Sequence, residues 1–290
     1  MDIWHKIGRV FRLSNLGTLI FFGLNILLLF SMFGSSGDVG VLIMIYILTV
    51  IVSLSPIGEW TICMMVGAED IKRRDIKIHI IPLVEVVLDS AKKNGLYCPD
   101  SVNIKIIHDQ TPNAFALGRQ TIAITDGLLR LSDEAVMAVL AHEIGHLAYG
   151  HTVIQLLIGG GNIFITFFLL LLKISCWIFA ALMGVFSFAS RSWIMGIMTA
   201  IFSAISYGAL WLWVKICKIF LMWSMRQNEF VADEYAMKLG FGYELAYSLD
   251  HELYSIPRNG FLNALFDPHP SSDDRIAALQ NLGVSYSRYR

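Results

Sequence analysis

The chain has 290 residues, of which 56% are hydrophobic and only 16% are charged. Soluble domains carry about 45–50% apolar and about 25% charged residues, so a lipid bilayer is an expected partner. The formal net charge is −1 and no basic stripe occurs, which excludes the usual electrostatic footprint of nucleic-acid binding.

In chain order, Leu13 to Gly37 is charge-free and rich in Leu, Ile and Phe, and Val39 to Gly58 is a second such run ended by Glu59. Each is long enough for a membrane span of about 20 residues, and the short Gly34–Gly40 connection makes them a hairpin. The first run exceeds a signal-peptide apolar region and no A-x-A site follows, so an uncleaved anchor is expected. From Glu69 to about Tyr149 the composition turns soluble. Pro82 to Asn94 reads as a helix ended by Gly95. Ser101 to His108 alternates as a strand, and Thr121 to Thr125 is a second short strand closed by Asp126-Gly127. Ser132 before Asp133-Glu134 is an N-cap followed by acids, the start of another helix.

Three charge-free runs follow, Thr152–Leu172, Ile174–Ser190 and Ser192–Val214, separated by Lys173 and Arg191. The four cysteines, Cys63, Cys98, Cys176 and Cys217, form no CxxC pair and read as small apolar fillers suited to a reducing compartment. Lys6, Arg9 and Arg12 precede the first span. Lys72, Arg73, Arg74 and Lys77 follow the second, Lys215, Lys218 and Arg226 follow the last, and the loop between the first two has none. The bias places both polar segments in the cytosol. The expected organisation is an N-terminal transmembrane hairpin (1–66), a cytosolic segment (67–152), a second transmembrane hairpin (153–216) and a second cytosolic segment (217–290).

His142-Glu143-Ile144-Gly145-His146 is an HExxH motif on the helix that begins after Ser132. Residues i and i+4 share a helix face, so both imidazoles can bind one Zn²⁺ ion, with Glu143 beside it as general base for a water that attacks a peptide carbonyl. A catalytic zinc needs a third protein ligand and an open position. No further His follows at the spacing that some HExxH enzymes use. Glu229 in Asn228-Glu229-Phe230-Val231-Ala232-Asp233 is the candidate, with Asp233 four residues on and able to accept a hydrogen bond from a ligand imidazole. Taken alone, this pair also suits a solvated helix face. Glu229 reaches the metal only if an even number of spans separates residues 146 and 229, so two of the three runs should cross, near 154–175 and 194–216, and the third should extend a helix or re-enter. His151 falls outside the i+4 register and reads as surface or interfacial.

At this point the chain resembles the HtpX family of membrane zinc peptidases, relatives of the CAAX prenyl endopeptidases. The resemblance rests on the span pair, Asn113-Ala114-Phe115-Ala116-Leu117-Gly118, the HExxH motif, the apolar insertion, Glu229 to Asp233, and His269-Pro270 with Arg275-Ile276. It implies a mainly α membrane protein with about four transmembrane helices and a gluzincin-like α+β peptidase domain containing a small sheet. It also implies that Asn113, Ala114 and Phe115 lie near an edge strand where substrate adds, that His269 bonds the oxyanion, that Arg275 pairs with Glu229 or Asp233, and that Arg226 is a structural charge. Its functional implication is quality-control proteolysis of damaged or misfolded membrane proteins at the cytosolic face of a bacterial inner membrane. The partners would be unfolded protein or peptide substrates and the bilayer, and no nucleic acid. CAAX-type processing and an inactive zinc-binding scaffold are the alternatives. A transporter would place ionisable groups inside the spans, which here are nearly uncharged.

Overall fold

The computed structural model describes residues 12–33, 39–253 and 270–288. Lys6, Arg9 and His269 lie outside these described residues. A 3-10 turn, Leu13–Asn15, leads into α1 (Leu16–Phe33), followed by α2 (Val39–Ser53) and α3 (Pro56–Val66). α2 and α3 meet at a 67° bend. Ser55 caps α3 by accepting from the Ile57 N–H, and Pro56 opens it without the N–H that a continuing helix would use. The second apolar run therefore bends at Leu54–Ser55, and Glu59 lies inside α3 rather than at a span's end.

The polar segment that follows contains β1 (Glu69–Asp70), α4 (Arg74–Lys93), β2 (Asn103–Ile107), β3 (Ala114–Leu117), β4 (Thr121–Thr125) and α5 (Asp133–Tyr149). The strands form one mixed sheet in the order β1-β2-β4-β3. β2 and β4 run parallel with Ile104 opposite Ile122, while β1 pairs antiparallel with β2 and β3 antiparallel with β4. All five residues of β4 are buried, as a strand with neighbours on both sides and helices over it requires. β3, at the end of the order, leaves one backbone edge open.

α5 is the helix around which the body is built. Ser132 Oγ accepts from the Ala135 N–H, acids occupy the first turn, and Gly150 ends the helix at φ 72°, a conformation that costs glycine nothing. Nearly every residue from Ala135 to Ala148 is buried, the pattern of a helix enclosed on all sides. It packs in one core with Ile80, Val84 and Val87 of α4, Ile122 and Ile124 of β4, and Tyr235 and Ala236.

α6 (His151–Ala189) and α7 (Trp193–Lys238) are continuous helices of 39 and 46 residues. Lys173, expected to separate two runs, lies within α6; lysine is a good helix former and its stem can lie along apolar surface. Arg191 occupies the turn between α6 and α7 with φ 51°. The three apolar runs are thus two helices, the second run having extended the first. Among the described residues two helices are long and apolar enough to cross a membrane, Leu169–Ala189 and Trp193–Lys238. The bent pair α2–α3 makes a third if it is one span, and Leu13–Leu28 is a shorter apolar helix. Large apolar side chains cover these helices in the open, with Phe188 88% and Trp193 73% exposed, a surface far more apolar than water favours. At 1.5 Å per residue α7 is roughly 69 Å long, more than twice a bilayer core of about 30 Å. Its C-terminal turns, where polar residues return from Arg226 on, project beyond any span into the polar body. α8 (Gly242–His251) and α9 (Ser272–Asn281) complete that body.

Two sets of bonds join the N-terminal helices to it. Thr18 Oγ1 donates to Ser224 Oγ (3.0 Å), Ser224 Oγ donates to the Ser14 carbonyl (2.6 Å), and Asn228 Nδ2 donates to Asn15 Oδ1 (3.2 Å). A Cβ at Gly17 would stand 2.2 Å from the Phe220 carbonyl oxygen, so α1 and α7 touch there backbone to backbone. The Glu59 carboxylate on α3 accepts from the Arg119 N–H (3.1 Å) and from Thr121 Oγ1 (2.5 Å), tying the β3–β4 turn to the apolar hairpin.

Candidate metal centre

His142 and His146 lie one turn apart on α5, on the face turned toward α7. Gly145 sits between α5 and α7, and a Cβ there would come within 3.1 Å of the Tyr235 Cβ and 3.2 Å of the Ala232 Cα. The bare glycine lets α7 approach closely enough for Glu229 to reach both imidazoles. The two Nε2 atoms are 3.1 Å apart. Glu229 Oε2 lies 3.5 Å from His142 Nε2 and Glu229 Oε1 lies 3.3 Å from His146 Nε2. One ligand atom from each of the three residues falls within 4.8 Å of the others, and all three are buried. Two imidazoles and one carboxylate converging in this way fit a zinc ion and leave a fourth position for water or substrate.

The atoms behind the ligands are also accounted for. His142 Nδ1 lies 2.8 Å from Asp233 Oδ1. Arg275, on α9 and 6% exposed, donates through Nη2 to Asp233 Oδ1 (2.5 Å) and through Nε to Asp233 Oδ2 (2.8 Å), and its Nη1 stands 3.5 Å from Glu229 Oε2. Burial by itself would raise the Asp233 carboxyl. The Arg275 guanidinium and His142 outweigh burial and hold it below the usual carboxylate range. Burial and Arg275 press the His142 imidazole downward, yet Asp233 and Glu229 prevail and raise it to about 9.

Glu143 faces the edge strand. Its Oε2 accepts from the Ala116 N–H at 2.6 Å and its Oε1 is 4.0 Å from His142 Nε2. Ala114, Phe115 and Ala116 belong to β3, whose pairing with β4 places Phe115 opposite Ala123. The Asn113 amide oxygen accepts from the Ala114 N–H at 2.9 Å. Two small hollows meet at Glu143. One of about 60 Å³ is lined by Asn113, His142, Arg275 and Pro270, and the other of about 50 Å³ by Phe115, His146, Asn228 and Glu229. His269 precedes Pro270 but is outside the described residues. Arg226 is exposed and makes no ion pair among the described residues, so it does not join the site.

His151 corrects the reading of a surface or interfacial side chain. It is 1% exposed, and its Nδ1 lies 3.0 Å from His146 Nδ1. Helical register does not carry across Gly150, whose left-handed φ turns the chain so that His151 opens α6 and folds back over the end of α5. The glycine immediately before a histidine was the available signal. Burial and the neighbouring His146 hold the His151 imidazole well below its usual pKa.

A buried HExxH helix with a carboxylate from a distant helix and an open strand edge beside the glutamate defines the class as HExxH metallopeptidases. The model of Peptidase family M48 matches residues 82–283, and the chain belongs to that family. It is 31% identical over 252 residues to a protein described as Protease HtpX from Ectopseudomonas mendocina (strain ymp), covering 78% of this chain and 81% of the relative. It is 33% identical over 227 residues to a Protease HtpX from Hahella chejuensis (strain KCTC 2396), covering 68% and 70%. Among solved structures, the crystal structure of Ste24p from S. mikatae aligns with a TM-score of 0.46 and 18% identity, over 88% of this chain and 60% of that one.

Proposed function

We propose that this peptidase is a membrane-bound, zinc-dependent endopeptidase that cleaves damaged or misfolded membrane proteins at the cytosolic face of a bacterial inner membrane. The observation that carries the reading is the convergence of His142 Nε2, His146 Nε2 and the Glu229 carboxylate, with Glu143 at the edge strand. His142, His146 and Glu229 would hold the ion. When bound, zinc supplies Lewis acidity to the scissile carbonyl and lowers the pKa of a water. The chain's own residues do the rest. A substrate strand adds at Asn113, Ala114 and Phe115. Glu143 takes the proton of the attacking water as its oxygen bonds to the carbonyl carbon, then delivers that proton to the amine nitrogen as the C–N bond breaks. Asp233 orients His142, and Arg275 fixes Asp233 and Glu229. His269 is assigned to the oxyanion.

Glu229→Ala is expected to lose zinc and casein cleavage together in detergent-purified protein, measured as metal per chain and peptide release. Full zinc content in that variant would remove Glu229 from the ligand set. The basic residues that follow the spans support the orientation, and two crossings by α6 and α7 would keep α5 and Glu229 on one side of the membrane. Alkaline phosphatase fused after Arg290 should be inactive and a fluorescent protein fused there should be bright. The reverse pattern would put the site on the other side. For the quality-control role, an overproduced misfolded membrane protein should persist longer in cells lacking the peptidase, and equal lifetimes would count against it.

A further inference from the structure

His146 presents Nε2 to the ligand cluster, and its Nδ1 lies 3.0 Å from the Nδ1 of buried His151. The rings meet edge to face at 72° with centroids 5.1 Å apart. Two ring nitrogens at this separation share one hydrogen, so one donates and the other accepts. The reading of His146 as a ligand, on which this inference rests, decides between them. A ligating Nε2 must offer its lone pair, so His146 carries its hydrogen on Nδ1 and donates it. His151 must then accept on Nδ1 and keep its own hydrogen on Nε2. Among the described residues that Nε2 is buried without a protein partner. The hollow of about 50 Å³ that His151 lines with Thr152 and Asn228 has room for a water to receive the hydrogen. His151 is not itself a ligand, because the nitrogen it turns toward the cluster is committed to His146.

We propose that His151 is a positioning residue of the metal centre, accepting on Nδ1 the hydrogen of His146 Nδ1 and so holding His146 in the tautomer and ring orientation that directs Nε2 at the metal. His151 does for His146 what Asp233 does for His142, with a neutral ring in place of a carboxylate. The two ligand histidines are therefore backed by unlike partners.

The test uses the full chain in detergent, stripped with a chelator and titrated with zinc against a chromophoric competitor. His151→Leu keeps the bulk and removes the acceptor, and should weaken zinc binding roughly 10–100-fold. His151→Asn places Oδ1 where Nδ1 stood and should return affinity to within a few-fold of wild type. The cobalt form of His151→Leu should also show a shifted visible spectrum at saturation. Equal zinc affinity in wild type and His151→Leu overturns the proposal alone, as does a His151→Asn no tighter than the leucine variant. A wild type that binds no zinc overturns the zinc reading and this proposal together. If the leucine variant does not fold, histidine nitrogen resonances of the zinc-loaded wild type decide. A hydrogen on His146 Nδ1 and on His151 Nε2 supports the assignment, and a hydrogen on His151 Nδ1 overturns it.

Discussion

Glu143→Gln is expected to lower kcat for casein by roughly 10²–10⁴-fold, the usual contribution of a positioned acid–base group, while zinc content stays at the wild-type level. Glutamine has the same shape, and its amide oxygen can still accept from the Ala116 N–H that Glu143 Oε2 now holds at 2.6 Å. The edge strand therefore stays in place and KM should move little. What disappears is the ability to take a proton from water and return it to the leaving amine. Neither His142 nor His146 can substitute, because both are assigned to the ion. Asp233 cannot substitute either, since it is bonded to Arg275 and 1% exposed. Zinc analysis and steady-state cleavage on the same preparation check the result. Undiminished cleavage would sink the assignment of Glu143 as general base.

Arg275→Leu should be the most destabilising single change near the site, lowering unfolding free energy by about 3–5 kcal/mol, the scale for breaking a buried ion pair. The guanidinium is enclosed, forms a two-pronged bond to Asp233 and stands beside Glu229. Removing it leaves the carboxylate of Asp233 in the interior with, among the described residues, only His142 as partner. Arg275→Lys should fall between, because an ammonium cannot make both bonds of the planar fork. The sign with pH follows from Asp233, whose folded pKa is depressed. Its contribution is fully present above the unfolded value of about 3.9 and is lost as pH falls through the lower folded value. Denaturation midpoints in detergent at pH 7 measure the mutational loss. A variant as stable as wild type would show that the pair offsets no more than its own desolvation.

The parts of this molecule that could be read from sequence are those whose geometry is local. His142 and His146 share a face by the pitch of one helix, and Ser132 with Asp133-Glu134 marks where that helix begins. β2 and β4 declared themselves by alternation and β-branched residues. β3 carries Ala-Phe-Ala-Leu, which has neither, and only the family resemblance pointed to an edge strand near it. β1 is two residues long, too short for any pattern. Glu229 stood out locally only by its four-residue spacing from Asp233, and its reach to the metal required an even number of spans, a topological condition rather than a local one. The same reasoning treated Lys173 as an interruption, whereas one lysine does not break a helix whose neighbours all favour it. The bonds of Glu59 to Arg119 and Thr121 join residues about 60 positions apart, and nothing in either segment announces the other.

α7 joins the apolar layer to the candidate centre as an unbroken beam. From Trp193 to Glu229 it runs roughly 54 Å at 1.5 Å per residue, so one degree of rotation about its far end would swing the carboxylate by about 1 Å. A catalytic constellation tolerates only about 0.5 Å of misplacement. Such a beam needs a brace close to its working end. The contacts of Ser14, Asn15, Gly17 and Thr18 with Phe220, Ser224 and Asn228 provide one within three turns of Glu229. In mechanical terms the first helix is a stay that shortens the lever, so the aim of the third ligand is set by the packing of two helices beside the body rather than by the whole length of α7.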